Sequence, residues 1–254
     1  HHVFDLSFPG FSHGSAPMTA ITPPPEKEKL SFREELHLQR WDDHRYYHHS
    51  RINQSLHLLS AICFLTCYTL LFFNPGVAAM LGWIVAMCAR QIGHFFFEPR
   101  AYDEVNHATH DHKEEIKVGY NLRRKRILQG LWAISPFVLW YNPRFFGLFD
   151  EGHANFDGYV ENLAMLWLLL AIGALFARTV HLFFIRNVQT GLVWATKIIT
   201  DPFHDFKIYL KSPLYLLKGE LIDPMLYIRG SMAGDGEEGA EDAAAPFVQA
   251  ESTS

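Results

Sequence analysis

The chain has 254 residues, 49% of them hydrophobic and 15% aromatic, with a formal charge of −5. Apolar content gathered into long runs sets it apart from disordered chains, and no basic stripe suited to a nucleic-acid duplex is present, so no nucleic-acid partner is expected. The three cysteines, Cys63, Cys67 and Cys88, all fall in apolar runs and read as reduced thiols rather than a disulfide framework.

Residues 1–17 precede Met18 and open on His1-His2, which reads as the remnant of a purification tag; they are set aside together with His13. Residues 18–30 are a Pro-rich, charged lead-in. A helical membrane domain is expected over residues 31–229, and residues 230–254, rich in Gly, Ala, Glu and Asp, are expected to be a disordered acidic tail.

Within the domain, Ser31 and Glu34 make a capping box for an aromatic, amphipathic helix running to Tyr46-Tyr47, as expected at a headgroup interface. Leu56 to Phe73 is a nearly uncharged run of spanning length. Asn74-Pro75-Gly76 signals a turn, and Val77 to Phe97 returns, interrupted only by Arg90, Gln91 and His94. Ile127 to Tyr141 is short for a span by the roughly 20-residue criterion. It carries Pro136 and reads as a third span or a re-entrant segment. Asn162 to Ile185 is a fourth span, and Val188 to Tyr227, with Pro202 and Pro213, alternates apolar and basic residues as surface-lying helices do. The fold class predicted is all-α: a multi-pass transmembrane helical bundle of about four spans with amphipathic helices on the cytosolic face.

Lys and Arg crowd the segment before the first span, the loop between the second and third, and the stretch after the fourth. The Asn74–Gly76 turn has no cation, and the Asn142–Glu161 loop has Arg144 beside Asp150, Glu151 and Asp157. The positive-inside rule puts both termini in the cytoplasm, in a bacterial inner membrane or, in a eukaryote, the endoplasmic reticulum membrane.

That topology gathers histidines at one membrane face. Tyr46 to His112 holds His48, His49, His57, His94, His107, His110 and His112. His49, Asn53 and His57 are four apart and share one helical stripe. His94 and Glu98 are also four apart, with Arg90 one turn earlier, and His107, His110 and His112 form HxxHxH. Polar residues inside a span are costly and mark a site, and a first-row metal with nitrogen and oxygen ligands would satisfy these. Each feature also has a plainer reading: interfacial decoration for His48-His49, an interhelical hydrogen bond for His94, a solvated helix face for the HxxHxH group, and a topology signal for the basic run Leu122 to Arg126, which is also suited to a lipid headgroup or fatty carboxylate.

Tyr47-His48-His49 with Asn53 and His57, followed after one hairpin by Gly93-His94 and Phe97-Glu98, resembles the Mpo1-like family, small multi-pass membrane proteins that include 2-hydroxy fatty acid dioxygenases. The resemblance covers residues 44–101; Ser50 stands where the family usually has Asn, and Glu98-Pro99-Arg100-Ala101 departs from its usual Pro-Ala. It implies Fe(II), one or two ions, as cofactor. It also implies O2 and a fatty acyl substrate among membrane lipids, a 2-hydroxy fatty acid cleaved to an acid one carbon shorter. On this reading the ligands come from His49, His57 and His94 with one or more of His107, His110 and His112, and His48 stands in the same candidate set. Glu98 ligates or orients an imidazole, Asn53 hydrogen-bonds a ligand or the substrate, and Arg90 or Arg100 pairs with the substrate carboxylate. Two rival readings stand beside it. One is a di-iron lipid hydroxylase or desaturase, whose usual HxxxH, HxxHH and HxxHH boxes are read as absent, since Asp111 separates His110 from His112. The other is a non-enzymatic membrane scaffold or haem-binding subunit.

Overall fold

The computed structural model describes residues 30–224; the tag remnant, all but Leu30 of the lead-in, and the acidic tail lie outside the described residues. Those residues are all-α, with isolated bridges at Ser50–Ile222 and Asp103–Ala108 in place of strands.

Helix α1 (Phe32–Asp42) starts on the expected capping box, Ser31 N–H donating to the Glu34 carboxylate at 2.7 Å, and runs into a π-helical segment, Asp43–Tyr47. Helix α2 (Arg51–Leu70) follows an extended Ser50. Asn74 then caps α3 (Pro75–Phe96), accepting from Val77 N–H at 3.0 Å with Pro75 in the first turn, and α3 carries its own π-helical stretch, Leu81–Met87. The short α4 (His110–Ile116) leads to α5 (Leu122–Tyr141), α6 (Phe156–Ile185), α7 (Val188–Tyr209) and α8 (Ser212–Leu217).

Among the described residues, α3 and α6 are the helices long and apolar enough to cross a membrane. Much of their apolar surface faces outward: Ile84, Phe96, Ile172, Phe176 and Phe184 are exposed, a distribution costly in water and suited to lipid. The segment of the expected first span is built differently. At its start α2 carries Asn53, Gln54, His57 and Ser60, all fully buried, so this end of the helix is a polar core element. Ile127 to Tyr141 belongs to one continuous 20-residue helix, α5, about 30 Å long. Its Pro136 removes a backbone donor, and the Ser135 hydroxyl donates to the Trp132 carbonyl thereby freed, at 2.7 Å. Indole stacking of Trp83 on Trp132 and a bond from Trp83 Nε1 to the Trp167 carbonyl (2.8 Å) join α3, α5 and α6 around Leu139, Leu163 and Leu166.

Helix α7 packs along α2 and α6. Lys197, Asp201, Asp205 and Tyr209 recur every four residues, and all are buried on the face turned to the other helices. The expected surface helix therefore has a charged inner stripe, neutralised by Asp43, Arg40 and Arg90 from α1, the π segment and α3.

Candidate metal centre

The turn at Asn74 sets the geometry. His57 lies 17 residues before it on α2 and His94 lies 20 after it on α3, so an antiparallel hairpin brings both to the same level. His48 reaches that level from the end of the π segment, at φ −117°, ψ 24°. The ring centroids are 4.0 Å apart for His48–His57, 4.9 Å for His57–His94 and 5.4 Å for His48–His94, and one nitrogen from each ring lies within 4.8 Å of the others.

Each ring is held through Nδ1. His57 Nδ1–H donates to the Asn53 carbonyl at 2.9 Å, His94 Nδ1 is bonded to the Glu98 carboxylate one turn on, and His48 Nδ1 lies 3.2 Å from the Tyr209 hydroxyl. That leaves the Nε2 atoms, and those of His48 and His57 are buried without a partner, as is Glu98 Oε2. An outer hydrogen bond that fixes the tautomer and directs the second nitrogen inward is how metal-ligating histidines are usually held. Burial, then repulsion from the His57 and His94 rings, holds the His48 imidazole well below its ordinary pKa. It is therefore neutral, the form that ligates. Three imidazole nitrogens with a nearby carboxylate fit a divalent first-row ion.

The surroundings are fixed tightly. Asn53 Nδ2 donates to the Tyr47 carbonyl and Gln54 Nε2 to the His48 carbonyl, both at 2.9 Å. Residues 221–223 strap across this turn: Arg51 N–H donates to Leu221 O (2.9 Å), Asp223 N–H to His49 O (2.8 Å), and the Asp223 carboxylate accepts from Arg51 and Gln54 at 2.8 Å. Gly93 lets α3 approach α2, since a Cβ there would sit 2.1 Å from Asn53 Oδ1.

The predicted residues do not all arrive. His49 precedes the helix, because α2 begins only at Arg51, so the expected His49–Asn53–His57 stripe does not form; its Nδ1 faces the Tyr46 carbonyl, and His48 takes the place beside His57. His110, the first residue of α4, stacks on Tyr46, with Nδ1 3.3 Å from that hydroxyl, while His107 is exposed at φ 48° and His112 lies in the first turn of α4; the HxxHxH group thus lies outside the triad. Asn53 is buried between the rings and the Tyr47 carbonyl, and Glu98 lies behind His94. Arg90 lines the cavity beside the triad but is paired with Asp205 at 3.2 Å, and Arg100 is exposed in the loop after α3.

Sequence reasoning passed over Tyr209, whose hydroxyl bridges Nδ1 of His44 and His48, and His204, whose ring centroid is 5.1 Å from that of His44. Burial, then the neighbouring His204, pushes His44 down to about 3, and burial, then Arg40, takes His204 to about 4. Two signals were there to be read: His44-Arg45-Tyr46-Tyr47-His48 is an HxxxH spacing, and the four-residue repeat ending at Tyr209 marks a buried polar stripe.

Beside the triad opens a cavity of about 680 Å³ between α2, α3, α5, α6 and α7. His48, His94, Glu98, Lys117 and Lys125 stand among its polar lining, and Trp83, Leu128, Trp132, Leu168, Leu175 and Trp194 are part of its apolar wall. No family model, curated protein or solved structure matches the chain.

Proposed function

We propose that the chain is a membrane non-haem Fe(II)-dependent oxygenase of fatty acyl lipids, carrying out α-oxidation of a 2-hydroxy fatty acid. The substrate and O2 give the acid one carbon shorter, with the old carboxyl carbon leaving as CO2 and one water closing the balance. The observation that carries the reading is the convergence of His48, His57 and His94, with Nε2 free on the two deepest rings, beside a long apolar cavity. The resemblance of residues 44–101 to the Mpo1-like family supports the choice of iron and substrate.

Iron, when bound, supplies the centre at which O2 is reduced. The protein's own part is to hold three imidazoles neutral and oriented through Asn53, Tyr209 and Glu98, and to keep water from the acyl chain with the tryptophan-lined wall. Among the described residues one group of three histidines is placed to hold an ion, which favours a single ion over a di-iron pair, with Tyr209 wedged between His44 and His48. For topology we propose four crossings with both termini cytoplasmic, supported by the cations flanking the site end of α2, α3 and α5.

The test is anaerobic Fe(II) reconstitution of the detergent-purified protein, with metal analysis and turnover of 2-hydroxypalmitate. One iron per chain, lost in His57→Ala and His94→Ala along with product, is the expected result. Turnover surviving in His57→Ala would sink the proposal; two irons per chain would move it to the di-iron class, and a Soret band to haem.

A further inference from the structure

Among the described residues, Lys125 is the lysine of the cavity wall whose Nζ has no hydrogen-bond acceptor. The residue is 9% exposed, and Nζ is buried with no hydrogen-bond acceptor. Its acidic neighbours are partly engaged: Lys117 Nζ bonds Glu114 at 2.9 Å and lies 3.5 Å from the Tyr47 ring centre, Glu114 also takes Leu122 N–H at 2.7 Å, and Glu98 bonds His94 through Oε1, its Oε2 staying without a hydrogen bond to Lys125 or any other group. An unpaired buried cation is costly.

The helix adds to the imbalance. Lys125 sits near the start of α5, whose first turn carries no acidic residue and where Arg123, Arg124 and Arg126 stand beside it. A helix N-terminus is the positive end of the backbone dipole and normally draws anions. Here four cations are stacked on it, and one of them faces the apolar cavity. An anion arriving through that cavity meets Lys125 Nζ, which has no hydrogen-bond acceptor of its own, at the polar end of the wall that His94 and Glu98 also line.

We propose that Lys125 is the counter-ion for the carboxylate of a single-chain fatty acid whose acyl tail fills this cavity. The inference deepens the proposed function by assigning the headgroup contact to Lys125 in place of Arg90 or Arg100. A volume of about 680 Å³ falls within the roughly 300–1,000 Å³ of sites that enclose a small ligand, and the tryptophan-rich wall suits one hydrocarbon chain.

The experiment is equilibrium binding of palmitate and hexadecanol, which differ in the charged head, to the detergent-purified chain, metal-free and Fe(II)-loaded. Lys125→Met removes the charge while keeping an unbranched side chain only one atom shorter, and is expected to weaken palmitate by about 10- to 100-fold, leaving hexadecanol unchanged; Lys125→Arg restores palmitate. Equal losses for both lipids, or no loss for either, would overturn the assignment, as would lysophosphatidate outcompeting palmitate in a Lys125-dependent way, which would make the ligand a phosphate headgroup. Hexadecanol binding reports a folded cavity in each variant. If the chain takes up no iron yet palmitate binding keeps its dependence on Lys125, the oxygenase reading fails and this one stands. Normal iron loading with palmitate indifferent to Lys125 has the opposite meaning.

Discussion

The same substitution, glycine to alanine, should have opposite effects at Gly93 and at two other helical positions. At Gly93 a Cβ would lie 2.1 Å from Asn53 Oδ1 and 3.3 Å from His57 Cε1. Asn53 cannot swing aside freely, because it is fully buried and its Nδ2 is tied to the Tyr47 carbonyl at 2.9 Å. The chain must either push α3 from α2 or break that bond, an overpacking cost of about 1–3 kcal/mol. For a chain of this size that lowers Tm by roughly 2–12 °C. At Gly130 and Gly173, inside α5 and α6, a Cβ meets nothing within 4 Å. There alanine should be neutral or stabilising by up to about 1 kcal/mol, through its better helix propensity. Differential scanning fluorimetry in detergent separates the two signs. Gly93→Ala should also weaken Fe(II) binding, because Asn53 and Tyr47 set His48, whereas Gly191→Ala, whose Cβ would meet Phe183 at 2.5 Å, should destabilise without touching the metal. Equal melting temperatures for Gly93→Ala and Gly130→Ala would refute the packing argument.

Tyr209→Phe removes the hydroxyl shared by His44 and His48; anaerobic titration should show Fe(II) affinity falling about 10- to 100-fold, with hexadecanol binding intact. Ser135→Ala leaves the Trp132 carbonyl and Trp167 Nε1 without the hydroxyl they share at 2.7 and 2.9 Å, which should cost about 1–3 kcal/mol in thermal stability. Asp103→Asn removes the buried anion that binds Arg45 and Lys113 and should cost about 3–5 kcal/mol. Burial opposes the Asp103 charge, but the bonds from Arg45 and Lys113 outweigh it and hold the carboxyl well below its ordinary 3.8. A depressed folded-state value means stability present above pH 3.8 and lost as pH falls from there toward that lower value. Acid unfolding curves should therefore be steeper for the wild type than for Asp103→Asn in that window.

Much of the site was legible because it depends on short spacings and one turn. The Ser31–Glu34 box, the Asn74 cap and the Glu98 that orients His94 are all contacts within four residues, which sequence periodicity records directly. Position relative to Asn74 was enough to level His57 with His94. The choice of His48 over His49 was not legible, because it follows from the strap at 221–223, which bonds to His49 and Arg51 around an extended Ser50 where α2 starts. Nor was the fate of Arg90, whose partner Asp205 is 115 residues away. The Lys197–Asp201–Asp205–Tyr209 repeat was visible, yet a charged stripe on an apolar helix reads as a wet face until its partners are known.

The late part of the chain explains why the early part can hold a metal at all. Three histidines at the end of a two-helix hairpin would have their Nδ1 and Nε2 atoms in competition for any partner. Tyr209 and the Asn53 carbonyl, with Glu98, remove that freedom by occupying Nδ1 on every ring, so the remaining nitrogens have no partner in the protein. Leaving Nε2 of His48 and His57 unsatisfied destabilises the fold by about 1–3 kcal/mol each, a strain that a bound cation relieves and that water, with no access to these atoms, does not. The charged stripe of α7 has the complementary role. Lys197 and Arg90 neutralise the acidic groups of α7 and the π segment in ion pairs of their own, so carboxylates close to the triad do not displace Glu98 from His94. If the triad holds a metal, docking of residues 188–223 onto α2 should be coupled to metal binding, although no donor of the triad lies on those residues.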